Sequence, residues 1–378
     1  MMLQRKNRLR ALSLGALAVT GAMALTACGS NDTGSSSGGS SSSASATNAG
    51  SINCDGAKSG QLLADGSSAQ KNAIDAWVAQ FSQACGVQIN YKGGGSGAGV
   101  TGFNQGQLAF AGSDSALKPD EMAASKKVCP GGQGIDLPMV GGPIAVGYNI
   151  SGVNNLVLNA TTLAQIFNGK ITNWDDPAIK KLNPNEKLPN LKIQAFHRSD
   201  ESGTTDNFTK YLKAAAPADW KYSGGKAWQA PGGQAAAQSS GVAAGVKQTN
   251  GSIGYFELSY VADGMKAVSV DTGASAPVAP SSAAASKAIA DAKVVGTGKD
   301  LSLQLNYNTK AAGAYPIVLV TYEIACDKGN KAATLPATKA FLSYIASQDG
   351  QSKLAALGYA PIPAAIISKV RTTITGLS

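Results

Sequence analysis

Histidine is almost missing from this chain: among 378 residues there is one, His197. A Ser-His-Asp hydrolase would have to spend it, and a metal phosphatase would need a cluster of histidines and carboxylates that the sequence does not supply. In the extended run around it, His197 points opposite to Arg198, which suits a surface or packing role. Aromatic residues make up only 6%, and no Lys/Arg run is interleaved with them, so nothing marks a nucleic-acid partner. Glycine is plentiful at 45 residues but shows no G-X-Y period. The glycine run Gly93 to Gly99 also misses the common fingerprints. Counted from Gly93, Ala98 stands where G-x-G-x-x-G needs its third glycine, and no Gly-Lys pair is followed by Ser or Thr. As a nucleophile elbow, Gly94-x-Ser96-x-Ala98 fails at its last position. Binding therefore outranks catalysis: no enzyme activity, no cofactor and no metal are expected.

Positive charge is in slight excess, at +9. Four of those charges are Arg5, Lys6, Arg8 and Arg10, and no acidic residue precedes Cys28, so +5 remains once they are set aside. That bias suits small anions. The basic opening leads into an apolar run of small residues, Ala11 to Ala27, shorter than the roughly 20 residues of a membrane span. Residues 1–27 thus read as a signal peptide. The run ends Leu25-Thr26-Ala27-Cys28, which resembles the lipobox of bacterial lipoproteins. That likeness implies cleavage before Cys28 and lipid, such as palmitate, on the new N-terminus. Residues 28–52 are Ser/Gly-rich and read as a tether, with a reach of about 25 to 30 Å.

Beyond Cys28 four cysteines remain: Cys54, Cys85, Cys129 and Cys326. An even number in an exported chain favours disulfides, and three pairings are possible. Cys54 precedes the first strand and Cys85 immediately precedes the second, Val87 to Tyr91. If those strands are neighbours their starts lie together, which favours Cys54 with Cys85 and Cys129 with Cys326.

One local device recurs along the folded part. Leu191 to Phe196 reads as a strand, Phe208, Tyr211 and Leu212 mark a helix, and His197 to Thr205 joins them through hydroxyls and a glycine. The first turn of such a helix offers unpaired N–H groups and the positive end of its dipole, which together suit an anion. Ser202 and Thr204 add hydroxyls, Gly203 admits a ligand to the backbone, and Arg198 brings a fork of donors that Asp200 can hold. The same handover occurs after Gln61 to Ala64, through Ser67-Ser68 to a helix at Ile74, Trp77, Val78 and Phe81. It occurs again after Val87 to Tyr91, through Gly95-Ser96-Gly97. Leu108 to Gly112 forms a short strand that delivers Ser113-Asp114, where an Asp is either a helix cap or a ligand group. Pro143 to Asn149 and Tyr315 to Ala325 read as further strands, Trp174 as a core anchor, and Ala/Ser/Pro-rich residues 271–290 as a surface excursion.

Taken together, Ser67-Ser68, Gly95-Ser96-Gly97, Ala111 to Asp114, Lys170 to Pro177, Arg198-x-Asp-x-Ser-Gly-Thr and Gly251 to Tyr255 resemble the PstS family. These are the phosphate-binding proteins of bacterial ABC phosphate importers. The likeness runs from about residue 60 to the C-terminus, and the Arg198 loop is its most specific part. It implies an α/β, two-lobed periplasmic-binding-protein fold of type II whose chain crosses between lobes twice. Lobe one would comprise 53–142 and 314–378, and lobe two 143–313. The implied phosphate set is Ser68, the backbone at Ala69, Ser96, Asp114, Arg198, Ser202, Gly203 and Thr204, with Asp200 bracing the arginine. Two positions depart from the family: Ala69 replaces a larger residue, and Glu201 stands where Gly is common. The implied partners are inorganic phosphate, the permease and ATPase subunits of an importer, and the outer face of the bacterial cell membrane through the lipid. No nucleic acid is expected, and a monomer is.

Overall fold

The structure is a computed structural model that describes residues 52–57 and 60–378. The expected signal peptide, Cys28 and all but the last residue of the tether lie outside the described residues. No described helix is long and apolar enough to cross a membrane.

The chain begins with alternating strands and helices: β1 (Gly60–Gly66), α1 (Lys71–Cys85), β2 (Val87–Tyr91), α2 (Ser96–Asn104), β3 (Phe110–Ser113) and α3 (Pro119–Ser125). In β1 and β2 every second residue is buried, Leu62, Ala64 and Gly66 in one and Val87, Ile89 and Tyr91 in the other. The residues of α1 that turn inward are Ala73, Ile74, Trp77, Phe81 and Cys85, one face at helical spacing, and Gly86 ends the helix at φ +68. Parallel pairing sets β2 beside β1 and β1 beside β3.

A long strand, β4 (Gly134–Asn149), follows and is buried over nearly its whole length. The second stretch then runs through β5 (Val157–Asn159), α4 (Ala160–Phe167), α5 (Pro177–Leu182), β6 (Gln194–Arg198), α6 (Gly203–Ala215), β7 (Gln234–Ala236), α7 (Gln238–Gln248) and β8 (Ser252–Glu257). It continues with β9 (Lys266–Ala267), β10 (Ser269–Asp271), α8 (Ser282–Ile289), β11 (Lys293–Val294) and β12 (Leu303–Gln304). The chain closes with β13 (Val318–Cys326), α9 (Leu335–Ile345), α10 (Gln348–Ser352) and α11 (Ala364–Thr375).

The main sheet is ordered β2-β1-β3-β13-β4-β8-β6-β7, with β9 also on β4. Its two halves share β4. From Gly134 to Pro143 that strand pairs antiparallel with β13, and from Ile144 to Asn149 with β8. Two prolines sit where such a strand can bear a missing N–H: Pro143 at the handover, and Pro138 beside a bulge opposite Thr321 and Tyr322. The sequence reading began this strand at Pro143 and so missed its first half. Asp300 and Leu301 hydrogen-bond Asp136 of β4, through Asp136 N to Asp300 Oδ1 at 2.9 Å and Leu301 N to the Asp136 carbonyl at 3.0 Å.

Residues 271–290 are not simply a surface excursion. Within them α8 buries Ala284, Ala285, Ala288 and Ile289, a small-residue face that lets the helix lie against β4. At Gly141 of that strand an added Cβ would stand 2.6 Å from Ile289 Cδ1. Cys54 is bonded to Cys85 and Cys129 to Cys326, the pairing favoured from the sequence. Trp174 is a core residue, fully buried, and its Nε1 donates to the Gly251 carbonyl at 2.9 Å.

Candidate anion-binding site

Four strand ends deliver four helix starts to one place. Ser68 precedes α1, Ser96 opens α2, Gly203 opens α6, and Ser239 is the second residue of α7. The first three handovers are the ones legible in the sequence. Close packing makes two glycines obligatory here. At Gly66, φ is +140 and a Cβ would fall 2.0 Å from the Gly112 carbonyl. At Gly203 it would fall 2.5 Å from Asp114 Cβ and 2.7 Å from Ser96 Oγ. The spacing Gly97-x-Gly99-x-x-Gly102 does fit a dinucleotide fingerprint, but all three glycines lie inside α2 rather than in a strand-to-helix turn.

Arg198, the last residue of β6, is 2% exposed. Its Nε donates to Asp200 Oδ1 at 2.8 Å and its Nη2 to Asp200 Oδ2, a two-pronged grip that leaves Nη1 for other partners. Nη1 reaches Ser239 Oγ at 3.1 Å and Thr204 Oγ1 at 3.4 Å. Burial works against the guanidinium charge, but the bonds and charge of Asp200 prevail and raise its pKa. In the same way burial raises Asp200, and Arg198 outweighs it, so that this carboxyl ends below its usual range. Asp200 Oδ1 also accepts the Gln238 N–H at 2.9 Å, tying the start of α7 to the arginine.

Asp114 follows β3 and is 3% exposed. It caps no helix; α3 begins after Lys118. Its Oδ1 accepts from Ser67 Oγ at 2.5 Å and Thr321 Oγ1 at 2.7 Å, and its Oδ2 from Ser96 Oγ at 3.3 Å. Burial first, and then the charge of Glu257, push it up to about 6 against the pull of those hydroxyls. A carboxylate held by neutral donors is an acceptor with no cation bound to it directly.

The remaining expected residues fall in the same cluster, not all with side chains free for a ligand. Ser68 Oγ accepts the Ser239 N–H at 3.0 Å and lies 3.1 Å from Ser239 Oγ. The Ala69 N–H donates to Ser67 Oγ at 3.0 Å, and Ser202 Oγ is the cap of α6, accepting from Thr205 N at 3.2 Å. Ser96 Oγ accepts the N–H of Gly203 at 3.1 Å. Glu201 is exposed, but its side chain lies over Gly97 in the first turn of α2, where an added Cβ would stand 2.4 Å from Glu201 Oε2, and its carbonyl accepts the Gly97 N–H at 3.0 Å.

Four participants were missed. Ser239 was visible in principle, because Gln238-Ser239-Ser240-Gly241 opens a helix after a strand as the other three loops do. Ser67 was noticed only as a neighbour of Ser68, whereas Thr321 and Glu257 lie inside strands and carry no local signal. His197 is outside the cluster: its ring stacks on Trp228 with centroids 5.0 Å apart, and its Nδ1 lies 3.0 Å from the Arg198 carbonyl. Among the described residues no group of three or more His, Cys, Asp or Glu could hold a metal.

Comparison with known proteins agrees with this architecture. The PBP superfamily domain matches residues 41–349. The phosphate-binding protein PstS 3 of Mycobacterium tuberculosis is 43% identical over 371 residues, 97% of this chain and 98% of that protein. PstS 2 of the same species is 40% identical over 369 residues, covering 96% and 97% of the two chains. Among solved structures, a high-affinity periplasmic phosphate-binding protein bound with phosphate, PfluDING, aligns over 83% of this chain and 93% of its own. That alignment has a TM-score of 0.69 at 22% identity, a likeness of fold. This chain belongs to the PstS family of phosphate-binding proteins.

Proposed function

We propose that this chain captures inorganic phosphate outside the cytoplasm and hands it to the permease and ATPase of an ABC importer, while tethered to the membrane by lipid on Cys28. The observation that carries the reading is the joined cluster of Ser68, Ser96, Asp114, Arg198, Thr204 and Ser239, which combines helix starts, hydroxyls, one guanidinium and one acceptor. Helix N-termini and Arg198 supply the charge complement of an oxyanion. Asp114 supplies the acceptor that a protonated oxyanion needs. The family is one of binding proteins, and His197, the single histidine, stands apart from the cluster on Trp228.

The lobes of the proposal are 53–142 with 314–378, and 143–313. Each side of the cluster comes from one of them: Ser68, Ser96 and Asp114 from the first, Arg198 to Thr204 and Ser239 from the second. Further bonds between the two sides support a clamp that opens and closes. Ser115 Oγ donates to Asp206 Oδ2 at 2.7 Å, and Lys226 pairs with Glu121 at 2.9 Å. One chain supplies both sides, so one chain is the proposed working unit.

The test is thermal unfolding with phosphate, with sulfate and in buffer alone. A ligand that binds only the folded state adds about 4 kcal/mol at a thousandfold excess over its Kd. Phosphate should raise the Tm strongly and sulfate little. A Tm indifferent to phosphate, starting from protein verified free of it, would overturn the reading.

A further inference from the structure

Glu257 ends β8 directly behind the proposed phosphate cluster and is 1% exposed. Its Oε1 accepts a hydrogen bond from Thr204 Oγ1 at 2.7 Å, and its Oε2 has no partner. Among the described residues no lysine or arginine pairs with it: Arg198 spends Nε and Nη2 on Asp200. A buried carboxylate without a cation is costly, and its field reaches whatever enters beside it.

Two consequences point the same way. A threonine hydroxyl has one proton, and Thr204 directs it at Glu257 while accepting from Arg198 Nη1. Toward the cleft, Thr204 is thereby left with acceptor capacity, alongside the acceptor Asp114. The second consequence is charge. The charged and titratable groups within electrostatic reach of Glu257 are Arg198 on β6, Asp114 after β3, Tyr260 just after β8 and Tyr359 near the C-terminus. Arg198 is already neutralised by Asp200, so Glu257 and Asp114 together make the cleft resist a second full negative charge.

We propose that Glu257 is a specificity-determining residue of this cleft, placed to favour singly charged, doubly protonated phosphate over doubly charged oxyanions. The inference rests on the phosphate reading above and adds a residue and a protonation state to it. A helix N-terminus attracts any anion; an acceptor backed by a buried carboxylate attracts the one that still has protons to donate.

The experiment is calorimetry on the full chain with phosphate, sulfate and fluorophosphate, from mildly acidic to mildly alkaline buffer, on the wild type and on Glu257→Gln. Fluorophosphate matches the size of phosphate but has no proton to offer once doubly ionised. Wild-type phosphate affinity should fall as the second ionisation of phosphate is crossed. In Glu257→Gln the fall should be shallower, and sulfate and fluorophosphate should gain on phosphate by on the order of tenfold, the effect of about one pK unit of charge interaction. The amide can still accept from Thr204, so α6 keeps its anchor. If Glu257 only braces α6, the variant will lower Tm and weaken all three anions alike, with the pH profile unmoved; that result overturns the proposal. Should the variant not fold, a wild-type phosphate affinity that is flat with pH overturns it equally. Absence of any phosphate binding by the wild type would remove the parent reading too, which separates the two failures.

Discussion

Ser96 Oγ accepts the backbone N–H of Gly203 at 3.1 Å, joining the first turns of α2 and α6 across 107 positions of sequence. The same oxygen accepts the Asp114 N–H at 3.1 Å, so one serine hydroxyl ties together three loops from different parts of the chain. Bonds of this kind hold the two faces of the cluster in register. In the proposed site neither face is complete alone, since each supplies donors whose geometry the other sets.

Arg198 is the one guanidinium in the cluster. Arg198→Ala removes its charge and leaves Asp200 without its partner. The expected loss is about 3 to 5 kcal/mol, a few hundredfold to a few thousandfold in phosphate affinity. Arg198→Lys should recover only part, since an ammonium cannot grip Asp200 at two points and still reach Ser239 and Thr204. Titration calorimetry decides it, and near-native binding by Arg198→Ala would take the residue out of the site.

Asp114 is expected to tell phosphate from sulfate. Phosphate near neutral pH keeps a proton that Asp114 can accept, whereas sulfate brings only acceptors to meet an acceptor. Asp114→Asn retains an oxygen for Ser67 and Thr321 and adds a donor, so sulfate should gain relative to phosphate. Sites of this kind discriminate by roughly 10⁴ to 10⁵, and the variant should lose a large part of that ratio. An unchanged phosphate-to-sulfate preference would reduce Asp114 to a bracing role.

Glu323 is expected to make stability depend on pH. It lies on β13 opposite Gly112, fully buried, with neither carboxylate oxygen partnered. Burial first, with Asp114 adding and Gln70 opposing, pushes it from 4.5 up to about 8. The folded state therefore holds this proton more tightly than the unfolded state does. Its stabilising contribution is complete below about 4.5 and is lost as pH rises through about 8. Asp114 adds the same trend at lower pH, through about 6. The Tm of phosphate-free protein should fall across this window, and Glu323→Gln should flatten its upper part. A variant with the wild-type slope would assign the titration to another group.

Cys28 is expected to be the lipidated N-terminus. Intact-mass spectrometry of membrane-extracted protein should find a chain that starts there with added acyl mass, and Cys28→Ala should be uncleaved or released. Native protein that retains residues 1–27 would refute the anchor.

Periodicity was enough for the elements nearest the cluster. Alternation in β1 and β2, the helical face of α1, and the three serine-bearing turns are local features, and local sterics and hydrogen bonding decide them. So are the Arg198 loop and the bracing Asp200, two residues apart and bonded through their own turn. What only the folded chain decided is which groups meet. Thr321 reaches Asp114 because β13 pairs antiparallel with β3, setting Tyr322 opposite Ser113, and Glu257 reaches Thr204 because β8 and β6 are parallel neighbours in the sheet. Neither fact has a signature in its own stretch, since Thr and Glu inside buried strands look like any other strand residues until their partners arrive. The α8 segment was misread for the same reason: an alanine-rich face is weakly apolar alone and becomes core only against β4, where Gly141 leaves room for Ile289. Local chemistry chose the turns, while long-range pairing brought Thr321 to Asp114 and Glu257 to Thr204.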